Sequence, residues 1–288
     1  MNKIDMKAEL FVKRSEEIIP ISDMDAEKMK NAVLSAQDID GVMALLEDGM
    51  ILKFTKAGRS EEIVEIIDEL HGKSFMEPGK INLYLKQGSV YESVLDFSMA
   101  AIHYYLGIEE YAMKVKTDNR HSYWLFNNCS FCRDFQERFP EAQKLAEKAI
   151  SIDSTRHNAW KNLGVSFEHQ NRYVEAAACY MASFIKCGGG GGDPRPMMHL
   201  ERIFKRHDKL KDALADQAKK EIGKIYAGPF KNFSLAETYY YCGHFDKAMY
   251  HYKKFYAVAP SGYASHLSYI CRRLKELNEL KQIEAQFK

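Results

Sequence analysis

Long apolar runs are missing from this chain: the longest, Ala176 to Ala182, stops far short of the roughly 18 apolar residues a membrane-spanning helix needs. No membrane association is expected. A charge bias is missing too, since the formal net charge is +1; general attraction to nucleic acid or an anionic surface is excluded with it. Six cysteines in 288 residues are too sparse for a disulfide scaffold. The opening Met1-Asn-Lys-Ile-Asp-Met-Lys-Ala-Glu is interrupted by Asp5 and Glu9, so it lacks the apolar core of a signal peptide, and a cytoplasmic location is expected. Catalytic signatures are absent as well: there is no His-Glu-x-x-His, no Gly-x-Ser-x-Gly and no Gly-x-Gly-x-x-Gly. No enzyme activity, cofactor or metal is therefore expected. What the chain does have is 46% hydrophobic residues, enough for two compact domains or one elongated array.

A repeat is the first positive signal. In Asn171-Arg-Tyr-Val-Glu-Ala-Ala-Ala-Cys-Tyr and Gly243-His-Phe-Asp-Lys-Ala-Met-Tyr-His-Tyr, a turn residue is followed by an aromatic two positions on, Ala five on and Tyr nine on. Such recurrence marks a stacked array of helix hairpins. Around these turns stand Trp160, Leu163, Gly164, Phe167, Tyr173, Ala176 and Tyr180 in one unit, and Leu235, Ala236, Tyr239, Phe245, Ala248, Tyr252 and Pro260 in another. One period earlier come Phe126, Ser130, Phe139, Ala142 and Ala149. Small residues such as Gly164, Ser130, Ala142 and Ala176 let antiparallel helices approach closely, and the aromatics fill the gaps between hairpins.

With this spacing the chain resembles the tetratricopeptide repeat family, over about residues 121–187 and 229–262. The resemblance implies an all-α, right-handed superhelical solenoid of antiparallel helix hairpins closed by a C-terminal capping helix. The expected organisation is an N-terminal arm at 1–24, degenerate hairpins at 25–120, two clear units at 121–187 and a Gly/Pro hinge at 188–196. A degenerate hairpin, one clear unit and the capping helix follow at 197–288. Within the degenerate stretches, Gly58 and Gly107 are read as turns, each followed five residues on by Ile63 and Ala112; His103 then holds an inner aromatic position. Met198, Leu214 and Ala218 mark the degenerate hairpin, and Leu267, Ile270, Leu274 and Leu277 one face of the cap. The run Gly188 to Gly192 has no following Gly-Lys-Ser/Thr and no preceding strand, which favours a hinge over a phosphate loop.

Other candidate sites have plain structural alternatives. Cys129 and Cys132 share a helix face at metal-ligand spacing, but no second pair follows; in the repeat register Cys129 corresponds to Leu163 and should be a buried apolar residue. Glu61-Glu62 and Glu109-Glu110 follow the two glycines, where they would complement helix dipoles.

The family resemblance also implies a binding surface. First-helix positions of each unit line a concave groove, which selects Trp124, Asn127, Phe131 and Phe135, then Asn158, Lys161, Val165 and His169, then Phe230, Phe233, Glu237 and Tyr241. Aromatic anchors with amide donors suit a peptide or protein segment. The family's carboxylate clamp is not expected, because Val165 and Phe131 stand where it needs Asn. The expected function is a non-catalytic scaffold binding a partner peptide or protein. Alternatives are self-assembly through Tyr263 and Tyr269 into a homo-oligomer, and a metal-dependent or redox regulator using Cys129 and Cys132. Replacing Gly164 with Leu is expected to overpack its hairpin at a cost of roughly 1–3 kcal/mol; an unchanged melting temperature would contradict the hairpin.

Overall fold

The structure, a computed structural model, describes residues 20–46, 50–73, 79–114, 119–186, 195–207, 212, 216, 229–258 and 264–286. All regular secondary structure among them is helical. The chain divides into two compact units, Met1–Ile152 and Asp153–Lys288. The first holds α1 (Asp23–Ser35), α2 (Ile39–Leu45), α3 (Ile51–Lys56), α4 (Ser60–His71), α5 (Lys80–Ser93), α6 (Phe97–Lys114), α7 (Asn119–Phe135) and α8 (Phe139–Ile152). The second holds α9 (His157–His169), α10 (Tyr173–Lys186), α11 (Arg195–Arg206), α12 (Pro229–Tyr241), α13 (Phe245–Val258) and α14 (Ala264–Gln286). Consecutive helices pair as hairpins, and each unit is a helical stack of them.

One turn chemistry builds these hairpins. Among the described residues, Gly58, Leu95, Glu137, Asn171 and Gly243 each have positive φ, between 60° and 78°. At each of them the N–H bonds the carbonyl three residues back, and the following N–H reaches back five: Arg59 to Phe54, Asp96 to Tyr91, Arg138 to Arg133, Arg172 to Phe167 and His244 to Tyr239. This double closure is a Schellman end. The residue after the left-handed one then opens the next helix, its carbonyl accepting from Ala100, Ala142, Ala176 or Ala248. One residue thus ends a helix and starts its partner, and the two are forced antiparallel.

The interior of the hairpins follows the same register. Gly88 and Gly164 face Tyr104 and Tyr180, where an added Cβ would lie 2.3 Å and 2.7 Å from the rings. Both tyrosines are fully buried. Their hydroxyls donate to Glu92 at 2.9 Å and Glu168 at 2.7 Å, so neither ring carries an orphaned polar atom. In the α7–α8 hairpin both partners shrink: Ser130 Oγ donates to the Ala142 carbonyl at 2.8 Å, beside buried Ala146 and Ala149. That close crossing is met by the small residues on the inner face of α8, Ala142, Ala146 and Ala149.

Two expectations change. Gly107 is no turn; it sits inside α6, where a Cβ would meet Leu125 at 2.7 Å and Tyr84 at 3.0 Å. The turn of that hairpin is at Leu95, followed by Phe97, Ala100 and Tyr104 in the same spacing as the clear units. Glu109 and Glu110 therefore lie well into α6 rather than at its start, whereas Glu61 and Glu62 do occupy the first turn of α4 after Gly58. His103 stacks on Tyr91 at 5.1 Å, and its Nδ1 lies 3.1 Å from Gln87 Oε1. In the second unit, α14 buries Ile270 and Leu277 as a cap requires. The glycine run, Leu214, Ala218, Pro260, Tyr263 and the first 19 residues fall outside the described residues, as do the side chains of Ala112 and Phe230.

Glu137 is exposed and left-handed, a conformation that penalises every side chain but the smallest. Glu137→Gly is expected to stabilise the first unit by roughly 0.5–1 kcal/mol. A thermal melt showing a lower midpoint would contradict this.

Candidate functional site

In the first unit, α7 presents the expected first-helix positions. Trp124 is half-buried and meets Tyr123 edge-on at 5.2 Å. Phe131 and Phe135 lie together, 4.8 Å apart, and both pack on Phe97 of α6, Phe135 stacked at 4.0 Å and Phe131 edge-on at 5.8 Å. Each keeps part of its surface open. Asn127 is buried, its Nδ2 donating to Asn128 Oδ1 at 2.9 Å, and Asn128 in turn donates to the Tyr104 hydroxyl at 3.3 Å. An aromatic, half-open strip beside an internal amide pair is what α7 offers.

In the second unit, Asn158, Lys161 and His169 are half-buried along α9, while Val165 between them is buried. Burial holds the His169 imidazole below its ordinary pKa. Tyr241 closes α12: its ring stacks on Phe204 at 6.5 Å and its hydroxyl accepts from Arg273 Nη2 at 2.7 Å. Phe233 and Glu237, assigned to the groove by the family pattern, are instead fully buried. Phe233 packs against Phe184, Phe255 and Tyr269 at 5.5–6.0 Å, and Glu237 accepts from the hydroxyls of Tyr252 and Tyr269. The cause is α14, whose Tyr269 reaches these positions.

Two ionic knots organise this unit, and neither was foreseen. Glu168 accepts from Tyr180 and, at 2.7–3.0 Å, from Arg202 of α11. His199 stacks on Tyr180 at 4.6 Å with Nδ1 3.3 Å from the same carboxylate. Burial opposes the charge of Glu168, yet His199, Arg202 and Tyr180 together hold its pKa down to about 2. The second knot centres on Arg273, which lies 4.0 Å over the Tyr240 ring, donates to Tyr269 and Tyr241, and pairs with Glu276 at 3.0 Å. Its charge is strongly stabilised despite burial, chiefly by Glu237, whereas burial raises the pKa of Glu237 itself. A sequence signal existed for the first knot: Glu92 and Glu168 both stand twelve residues before a hairpin tyrosine, Tyr104 and Tyr180.

The cysteine pair has a different character. Cys129 and Cys132 are fully buried among Ala100, Ala101, Tyr104 and Leu125. Burial pushes the Cys129 thiol up to about 11 and the Cys132 thiol well above its ordinary value, away from the thiolate that metal binding or redox chemistry requires. No group of three or more potential metal ligands occurs among the described residues. No described helix is long and apolar enough to cross a membrane.

No protein-family model matches this chain, and no curated protein does. Solved structures similar to it include BtubC from P. vanneervenii, at 14% identity over 71% of this chain and 89% of that one, with a TM-score of 0.42. TTC0263, a thermophilic TPR protein of Thermus thermophilus, is 13% identical over 66% of this chain and 98% of its own, with a TM-score of 0.36. PilF of Pseudomonas aeruginosa is 12% identical over 88% and 99%, with a TM-score of 0.45.

A carboxylate held below its ordinary value stabilises the fold above that value and loses this as pH falls. For Glu168 the window runs from the ordinary 4.5 down to about 2. Glu168→Gln is therefore expected to cost about 3 kcal/mol at pH 7 and nothing near pH 2. Denaturant melts of both proteins across that range test it; parallel curves at every pH would refute the coupling.

Proposed function

We propose that these tetratricopeptide-like hairpins form a non-catalytic scaffold that holds a segment of a partner protein against the first helices of its hairpins. The observation that carries this reading is the partial exposure of one helix face in a repeated register. Counted back from the left-handed turn residue, Trp124 and Phe135 before Glu137 occupy the places that Asn158 and His169 hold before Asn171, with Tyr241 in the last of these before Gly243; the place of half-buried Phe131 is taken on α9 by buried Val165. On α7 the face is aromatic; on α9 it is amide, cationic and imidazole. Side chains that satisfy the interior, such as Leu163, Phe167 and Tyr180, point elsewhere and are buried. In the first unit the half-open aromatics supply apolar contact area; in the second, Asn158 and Lys161 supply donors to backbone carbonyls or carboxylates of a bound segment. Asn127, being internal, supports this face by positioning Asn128. The reading favours a protein partner and involves no nucleic acid, membrane, cofactor or metal.

The test compares wild-type protein with Asn158→Ala/Lys161→Glu/His169→Ala in affinity capture from the native lysate, followed by binding measurements on the purified partner. All three residues are half-buried on α9, so the variant should keep its helical content. A tenfold or greater loss of affinity is expected, since three contacts each contribute roughly 0.5–1.5 kcal/mol. Equal affinity would remove α9 from the binding surface.

A further inference from the structure

A cavity of about 640 Å³ opens in the first unit. One wall is a single face of α1 and its cap: Ser22, Asp25, Met29, Ala32 and Val33 follow one another at helical spacing. From Ser22 to Val33 that face runs about 16 Å at 1.5 Å per residue. The opposite wall carries Leu52, Lys53 and Lys56 of α3. Its floor is closed, with Val33 0% and Met50 1% exposed, whereas Leu52 is 58% exposed at the rim.

Charge is distributed on both sides of this trench. Lys28 stands on the α1 wall, and Lys53 and Lys56 on the α3 wall. Among the described residues of the lining the one acid, Asp25, is engaged in the helix cap, accepting from Ser22 Oγ at 2.6 Å. An elongated apolar floor between two basic rims matches a ligand that is apolar below and anionic along both flanks. A compact anion with one charged head would use one rim and leave the other unmatched. Three turns of amphipathic helix, with apolar anchors at i, i+3 or i+4, and i+7 and Asp or Glu beside them, match the length, the floor and both rims.

We propose that this trench docks an acidic amphipathic helix of a partner protein. Leu52 and Lys56 stand six and two residues before the left-handed Gly58, as Phe131 and Phe135 stand before Glu137, so the trench belongs to the same face of the repeat. It rests on its own cavity and charges, not on the residues of α9.

The probe is a fluorescein-labelled 16-residue peptide with leucines at those anchor spacings and glutamates beside them, titrated with the full chain by fluorescence anisotropy. Saturable binding is expected, weakened at least tenfold by Lys28→Glu/Lys53→Glu, by Leu52→Ser, and in a peptide with lysine for every glutamate. Leu52 and the two lysines project from the surface, and a matching melting point confirms that the variants fold. The Asn158→Ala/Lys161→Glu/His169→Ala variant should bind the probe like wild type, which separates the two sites. Absence of binding, equal affinity for the two peptides, or an unchanged affinity in Lys28→Glu/Lys53→Glu overturns the proposal. So does uptake of dansyl-undecanoate with exclusion of the peptide, which would make the trench a site for a small apolar anion.

Discussion

A tyrosine ring lying on bare backbone sets the spacing of the hairpins. Tyr104 on Gly88 and Tyr180 on Gly164 bring two antiparallel helices closer than any Cβ would permit. Each ring buries its whole surface at the crossing, a large apolar gain. Its hydroxyl would be a liability there without Glu92 or Glu168 to accept from it. Where the tyrosine is missing, in α7–α8, the opposing residues shrink together to Ser130, Ala142 and Ala146, so the close approach survives. The left-handed turns follow from that constraint: helices this close need a connection of few residues that ends one and starts the next.

The polar groups buried for this packing also tie hairpins to their neighbours. Glu168 satisfies Tyr180 within its own hairpin and binds Arg202 on α11. Glu237 likewise serves Tyr252 of its own hairpin and Tyr269 of α14. In both cases a carboxylate of the first helix is engaged by the next helix, with arginine completing the knot. What remains partly open on the first helices is mainly aromatic on α7 and polar on α9. Between α1 and α3 the first unit opens a trench with basic rims.

The hairpins around Asn171 and Gly243 are legible because turn, aromatic, alanine and tyrosine all coincide with residues that favour those conformations. Leu95 hides an equally regular hairpin. A left-handed leucine carries no turn signal, although Phe97, Ala100 and Tyr104 complete the pattern. Gly107 misleads for the opposite reason, since a glycine needed for close packing against Leu125 and Tyr84 looks the same in sequence as one needed for a turn. Among the candidate site residues, Asn158, Lys161 and His169 follow from register and are half-buried in the structure. Phe233 and Glu237 share that register, yet their burial depends on where Tyr269 lies.

Sequence by itself determined the helical class, the hairpins around Asn171 and Gly243 and the small residues Ser130 and Gly164 at hairpin crossings, because these depend on partners close along the chain, Ser130 with Ala142 and Gly164 with Tyr180. Only the tertiary structure decided which first-helix side chains stayed partly open. Arg202 lies 34 residues from Glu168 and Tyr269 lies 32 from Glu237. Whether a carboxylate faces a ligand or a buried tyrosine hydroxyl is settled by such distant partners, whose positions no local pattern encodes.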